Sequence, residues 1–201
     1  MSSDFAPLSL LKHASECRSF LPTIVVDSRE QTPLIFSRLA ARYLRGEEGE
    51  GLTSGDYSIS GLEDQFAIER KSVADLVASV TRERDRFSRE LHRLRGYRFA
   101  RVVVTGTRAQ IAAGEYRSRA NPVAVLHSIS ALEARYGIPF VFAGDEHRAA
   151  GAIEGWAYWF ARAIVDETND LIRGIRATAA APAPSEPPAP GAANGASVIA
   201  A

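Results

Sequence analysis

Short apolar runs alternate with amphipathic stretches along the chain, and the period of the pattern predicts the elements. Thr23-Ile24-Val25-Val26, opened by Pro22 and closed by Asp27, is an unbroken apolar run that reads as a buried strand. Over 34–45, Leu34, Leu39, Tyr43 and Leu44 recur at roughly helical spacing and predict a helix. The loop 46–51 follows, with three glycines and three glutamates. Strands are expected at about 56–60 and 65–71, joined by the turn Gly61-Leu62-Glu63-Asp64 into a hairpin. Ser72 begins a helix, because with Asp75 it has the spacing of a capping box. A second helix covers about 82–95 on the apolar stripe Phe87, Leu91 and Leu94. Val102-Val103-Val104 centres a strand over 99–105. Asn121 as cap and Pro122 at the first helical position open a helix that Gly137 ends after Tyr136. A strand over 138–143 and a helix over about 146–170 complete the set. The order β-α-β-β-α-α-β-α-β-α predicts an α/β domain, a mixed central β-sheet flanked by helices.

Two stretches fall outside this pattern. Residues 1–22 form an N-terminal extension in which Leu8, Leu10, Leu11 and Ala14 could line one short helix. From 177 the composition turns to Ala, Pro, Gly and Ser with one charge, Glu186. Such a segment buries too little apolar surface to offset its ordering entropy. The expected organisation is therefore an extension at 1–22, a domain at 23–175 and a disordered tail at 176–201.

Composition narrows the class. With 201 residues, 46% hydrophobic and 24% charged, the chain can build one domain with its own core. Lys+Arg and Asp+Glu number 24 each, so net charge alone points to no nucleic-acid partner. Placement does. Residues 82–101 hold eight arginines against Glu83, Asp85 and Glu90, a local excess that attracts a phosphate backbone. Arg82, Arg84 and Arg86 lie nearest to the helix opened by Ser72, and Arg117 and Arg119 in the polar loop 114–121 are a second group. Cys17 is the only cysteine, which excludes an intrachain disulfide and a cysteine zinc site. His13, His92, His127 and His147 have no metal-ligand spacing. No run has the length or apolarity of a signal peptide or a membrane span, so a cytoplasmic protein with no membrane partner is expected.

The chemistry concentrates in the hairpin. Side chains alternate along a strand, so Ala67, Glu69 and Lys71 share one face while Phe66, Ile68 and Arg70 share the other. A carboxylate and an ammonium thus stand side by side, about 7 Å apart along the strand. Asp56 opens the partner strand, and Asp27 ends a strand elsewhere in the sheet. Three carboxylates and a lysine converging at one sheet edge suit phosphodiester hydrolysis. A hard cation such as Mg²⁺ takes oxygen ligands, polarises the phosphate and lowers the pKa of water. Carboxylates gathered without a cation would repel one another.

The segments Val26-Asp27-Ser28-Arg29-Glu30, Gly55-Asp56-Tyr57 and Glu69-Arg70-Lys71-Ser72-Val73-Ala74-Asp75 together resemble the nuclease domain of the XPF family of structure-specific endonucleases. That family's signature is Gly-Asp, a variable gap, Glu-Arg-Lys, three residues and Asp, with an Asp-x-Arg-Glu box upstream. Every position is satisfied here, and the helix with Arg86-Phe87 and Glu90-Leu91 looks like the family's continuation. The resemblance covers about 24–165. It implies a restriction-endonuclease-like core, metal ligation by Asp27, Asp56 and Glu69, and catalytic support by Lys71. Arg29, Glu30 and Arg70 fall on further positions of the active-site motif. The implied cofactor is Mg²⁺, with Mn²⁺ substituting, and the implied substrates are branched DNAs such as flaps, forks and junctions. Asp75 is read as a helix cap and Tyr57 as a packing residue.

Family members usually act as dimers. Trp156, Tyr158, Trp159 and Phe160 on the last helix are either core residues or a dimer interface, and the resemblance favours a homodimer through this helix. Members often carry a helix-hairpin-helix module or a helicase as well. Beyond about 175 this chain holds only the Ala/Pro-rich stretch, so a separate duplex-binding or helicase partner is expected. The sequence reads as an Mg-dependent DNA endonuclease of repair, recombination or mobile-element processing. The alternative is a non-catalytic DNA-binding subunit of a nuclease complex. Inactive subunits of the family typically lose the acidic and lysine positions, all of which are present here. A third reading is a nuclease subunit that works only inside a larger complex.

Overall fold

The apolar run after Pro22 becomes strand β1 (Ile24–Val26), buried along its whole length. The computed structural model describes residues 9–12, 21–46 and 51–180. The other strands are β2 (Ala41–Tyr43), β3 (Tyr57–Ile59), β4 (Phe66–Lys71), β5 (Phe99–Val104) and β6 (Phe140–Phe142). They form one mixed sheet in the order β2-β1-β3-β4-β5-β6. The β1–β2, β4–β5 and β5–β6 pairs are parallel, and β3 runs antiparallel to both β1 and β4. The expected α/β class and the hairpin are both observed.

Helices cover the two faces. On one side α1 (Val73–Val80), α2 (Arg84–Leu94), α3 (Arg108–Ala112) and α4 (Pro122–Tyr136) pack over Ala67, Val102 and Val104 through Leu76, Phe87, Leu91, Ile111 and Ile129. On the other, α5 (Glu146–Ala180) lays Ala149, Ala150, Ile153 and Ala157 against Ile24, Phe66, Ile68 and Val103. Alternation along β4 therefore sends Ala67 to the first core and Phe66 and Ile68 to the second. The same alternation commits Glu69 and Lys71 to the α1–α2 side and Arg70 to the opposite side.

The caps read from the sequence are formed. Asn121 Oδ1 accepts from the N–H groups of Val123 and Ala124 at 2.9 and 3.2 Å, and Gly137 closes α4 in the left-handed conformation at φ +69°. Ser72 Oγ accepts from Asp75 N–H at 3.1 Å and donates to Asp75 Oδ2 at 2.7 Å. The acid thus reaches the capping hydroxyl.

The segment 34–45 departs from expectation: it is an irregular run ending in β2. Glu154, buried on α5, accepts the consecutive N–H groups of Ser37, Arg38 and Leu39 at 2.9, 2.6 and 3.0 Å. These donors are taken by a side chain more than a hundred residues away, and 41–43 then pairs with β1. Leu34 and Leu39 are apolar because they enter the α5-side core, a role that mimics helical spacing. Helix α3 was not foreseen, although Thr107 and Gln110 form a full capping box. Helix α5 extends ten residues past the expected end, so 177–180 are helical, while 181–201 of the expected tail lie outside the described residues. Most of the short helix proposed for the extension, and 47–50 of the loop, also lie outside them. Residues 9–12 are not helical: Asn169 of α5 binds both the N–H and the carbonyl of Leu11, at 2.6 and 2.9 Å.

Candidate active site

Strand direction brings the acids together. Because β3 is antiparallel to its two neighbours, the C-terminal ends of β1 and β4 and the N-terminal end of β3 share one end of the sheet. Asp27 N–H donates to the Asp56 carbonyl at 2.9 Å, and Asp56 N–H donates to the Ile68 carbonyl at 2.8 Å. Gly55 makes this approach possible. Its φ is +80°, and a Cβ there would lie 2.9 Å from the Ile68 carbonyl oxygen.

An open cleft of about 380 Å³ lies at this end. Its floor holds Asp56, Glu69 and Lys71, with Glu90 contributed by α2, and Arg29, Arg86 and Arg93 at its margins. Asp56 Oδ2 accepts the backbone N–H of Arg70 at 2.7 Å. Lys71 Nζ donates to Glu69 Oε1 and stands 5.4 Å from the centre of the Phe87 ring. Three carboxylates thus surround one ammonium. Burial, opposed by the Arg70 N–H and the Lys71 charge, pushes Asp56 up to about 6. Burial, the Asp56 charge and a hydrogen bond with Glu90 push Glu69 well above the usual carboxylate range. Burial works to lower Lys71, but Glu69, Glu90 and Asp56 outweigh it and hold the ammonium above its usual value. The floor carries more negative charge than its lysine compensates.

Asp27 is in the opposite condition. Its Oδ1 accepts from Arg29 N–H at 2.9 Å and Arg29 Nε at 2.6 Å, and its Oδ2 from Arg29 Nη2 at 3.1 Å and Leu52 N–H at 2.6 Å. Burial would raise its pKa, but these hydrogen bonds hold it below the usual value. Glu30 and Arg70 form a bidentate pair at 2.9 and 2.8 Å, and Arg70 Nη2 also reaches Thr32 Oγ1 at 2.8 Å. Neither side chain lines the cleft. Arg82, Arg84 and Arg86 flank a separate groove at the α1–α2 turn, and of the three only Arg86 also borders the cleft. Arg117 and Arg119 are exposed in the loop before α4 and do not line the cleft. Tyr57 is buried, and its hydroxyl accepts from Leu34 N–H at 3.0 Å, a packing role as read.

Glu90, Arg93 and Ser54 were not singled out as site residues. Arg93 Nε donates to Ser54 Oγ at 3.3 Å at the cleft margin. A signal was present: Arg86, Glu90 and Arg93 fall at i, i+4 and i+7 on α2, a polar row beside its buried stripe. Among the described residues, no three acidic, imidazole or thiol groups already close around one point as a metal cluster. The donors nevertheless suit a hard cation: Asp56 keeps Oδ1 clear of the Arg70 contact, Glu69 keeps Oε2 clear of Lys71, and Glu90 adds a third carboxylate. Asp27 does not fit in this arrangement, since its acceptor positions are taken.

The model of the ERCC4 domain matches residues 26–154, which is most of the folded region and all of the cleft. The chain belongs to the ERCC4-domain family. No curated protein sequence matches it. Among solved structures, XPF from Aeropyrum pernix is similar with a TM-score of 0.53 and 22% identity, over 78% of this chain and 73% of that one. XPF from Aeropyrum pernix in complex with DNA is similar with a TM-score of 0.53 and 24% identity, over 70% of this chain and 65% of that one. The mixed sheet flanked by helices is thus the fold of an XPF nuclease domain. No helix among the described residues is long and apolar enough to cross a membrane.

Proposed function

We propose that this ERCC4-domain protein is a divalent-metal-dependent DNA endonuclease. It would hydrolyse phosphodiester bonds at branched or single-strand/duplex junction DNA, in repair, recombination or mobile-element processing. The observation that carries the reading is the cleft floor, where Asp56, Glu69 and Glu90 surround the single ammonium of Lys71 beneath arginine margins. A bound Mg²⁺ or Mn²⁺ supplies Lewis-acid stabilisation of the phosphate and a lowered pKa for the attacking water. Asp56 and Glu69 are the residues that would hold it; Asp27, the third ligand that the family motif implies, has its acceptor positions taken by Arg29 and Leu52. Lys71, fixed by Glu69 and packed on Phe87, places its ammonium to neutralise a phosphate oxygen and orient water. Arg29, Arg86 and Arg93 hold the DNA backbone at the cleft edge. Arg82 and Arg84 extend this cationic track along the α1–α2 turn, and Arg117 and Arg119 are a more distant candidate. Glu30 and Arg70 support the site from the far side of β4.

DNA as partner is supported by the similar Aeropyrum pernix structure, which is a DNA complex. A homodimer through α5 is part of the proposal. Trp156 and Phe160 pack against Phe99 and belong to the core, but Trp159 remains 63% exposed, and Leu171 and Ile175 are exposed further along the helix. These three are the residues such an interface would cover.

The test offers labelled single-stranded, duplex, flap and fork DNA to the purified chain with Mg²⁺, Mn²⁺ or EDTA. Cutting that needs the metal and disappears in Lys71→Ala and Asp56→Asn is expected. Binding without cleavage under any metal would favour the non-catalytic subunit, and unchanged cleavage in both variants would overturn the site. Light scattering of the same sample checks the dimer.

A further inference from the structure

The side chain of Asp27 is almost wholly buried and accepts four hydrogen bonds, three from Arg29 and one from Leu52 N–H. A carboxylate offers about four acceptor positions, so none remains for a cation while this clamp is closed. Arg29 is held just as firmly. Its Nη2 also donates to the Leu52 carbonyl at 2.7 Å, yet its side chain is 68% exposed and borders the cleft. A charge-assisted bidentate pair fixes the plane of a guanidinium, and a fixed plane suits an arginine that must meet a phosphate. Across the cleft, Glu90 occupies the middle of the Arg86–Glu90–Arg93 row and lines the same floor as Asp56 and Glu69.

We propose that Asp27 is the positioning residue of Arg29, a phosphate-binding arginine, and that the third carboxylate offered to the cation is Glu90. This rests on the metal-dependent nuclease reading and redistributes roles within it. The motif-implied set of Asp27, Asp56 and Glu69 becomes Asp56, Glu69 and Glu90. The Asp27–Arg29 clamp then belongs to DNA binding.

Two measurements without catalysis test it on the full chain. The first is Mn²⁺ binding followed by electron paramagnetic resonance in the absence of DNA. The second is binding of a labelled DNA fork in EDTA, followed by fluorescence anisotropy. Glu90→Gln and Asp56→Asn are expected to weaken Mn²⁺ binding by about tenfold or more. Asp27→Asn and Arg29→Ala should leave it within about twofold and should weaken DNA binding together. The exposed position of Arg29 keeps the test usable if Asp27→Asn fails to fold by circular dichroism. Tighter Mn²⁺ binding in Arg29→Ala would reveal Asp27 as a ligand that Arg29 holds off, and would overturn the proposal. So would wild-type Mn²⁺ affinity in Glu90→Gln alongside lost affinity in Asp27→Asn. Absence of Mn²⁺ binding in the wild-type chain would instead sink the metal-dependent reading itself, which separates the two failures.

Discussion

Strand β4 carries two ionic clusters back to back. On the α5 side, Arg70 meets Glu30 in a bidentate pair with Thr32 adding a further contact. One cation answers one anion, and burial, which would raise Glu30, is outweighed by Arg70 so that the carboxyl sits below its usual value. On the α1–α2 side, Lys71 answers Glu69 while Asp56 and Glu90 remain, and Asp56 and Glu69 are pushed upward. Adjacent residues of one strand thus build a closed pair and an open one. A closed pair holds structure together; an unbalanced cluster in a cleft is a place waiting for a positive charge. Of the four residues of the Glu69–Ser72 stretch, Glu69 and Lys71 line the cleft, Arg70 pairs with Glu30, and Ser72 caps the helix behind them.

Four perturbations sharpen this contrast, from the largest effect to the smallest. Lys71→Ala is expected to lower metal-dependent cleavage by about 10²–10³-fold, measured in single-turnover assays, with the circular dichroism spectrum unchanged. Arg70→Met should instead act on stability. It leaves Glu30 buried without its partner and costs about 3 kcal/mol in urea unfolding at pH 7. Because the folded pKa of Glu30 is lowered, that pair's contribution is present at neutral pH and is lost as pH falls through the folded value. The gap to wild type should therefore narrow in acid.

Asp56→Asn should have the opposite sign. A carboxyl whose folded pKa is raised from 3.8 to about 6 is harmless below about pH 4 and destabilises the fold fully above pH 6. In EDTA the variant is expected to gain on the order of 2 kcal/mol at pH 8 and almost nothing at pH 4. Equal stability of the two proteins at pH 8 would show that Asp56 is not strained by its surroundings. The smallest effect is expected at Glu154→Gln. An amide oxygen still accepts from the 37–39 N–H groups but without a full charge, so a loss of about 1 kcal/mol and faster hydrogen exchange at those three amides are expected.

The same contrast explains what the sequence could show. Alternation placed Glu69 and Lys71 on one face and Arg70 on the other before any tertiary contact was known, and the caps at Ser72 and Asn121 were equally local. Asp27 was reached only through the motif, because its nearness to Asp56 depends on β1 and β3 pairing across the sheet. That Arg29 and Leu52 would saturate it could not be read, since Leu52 arrives from a loop 25 residues away. Glu90 was visible as part of a polar row on α2, but which way that row faces is set by the packing of Phe87 and Leu91 into the core. The helix expected over 34–45 failed for a similar reason. Its apolar spacing was real, but the backbone donors it needed belong to Glu154.

The central claim is the proposed one, that the floor of Asp56, Glu69 and Glu90 takes a divalent cation, which must displace the proton that burial favours on Asp56. Calorimetric titration of Mn²⁺ at pH 6, repeated in buffers of different ionisation enthalpy, measures the protons displaced per ion bound. The account predicts release of about half a proton or more per ion, and a clear reduction of that release in Asp56→Asn. Binding with no proton release at pH 6, or release unaltered by the substitution, would contradict it.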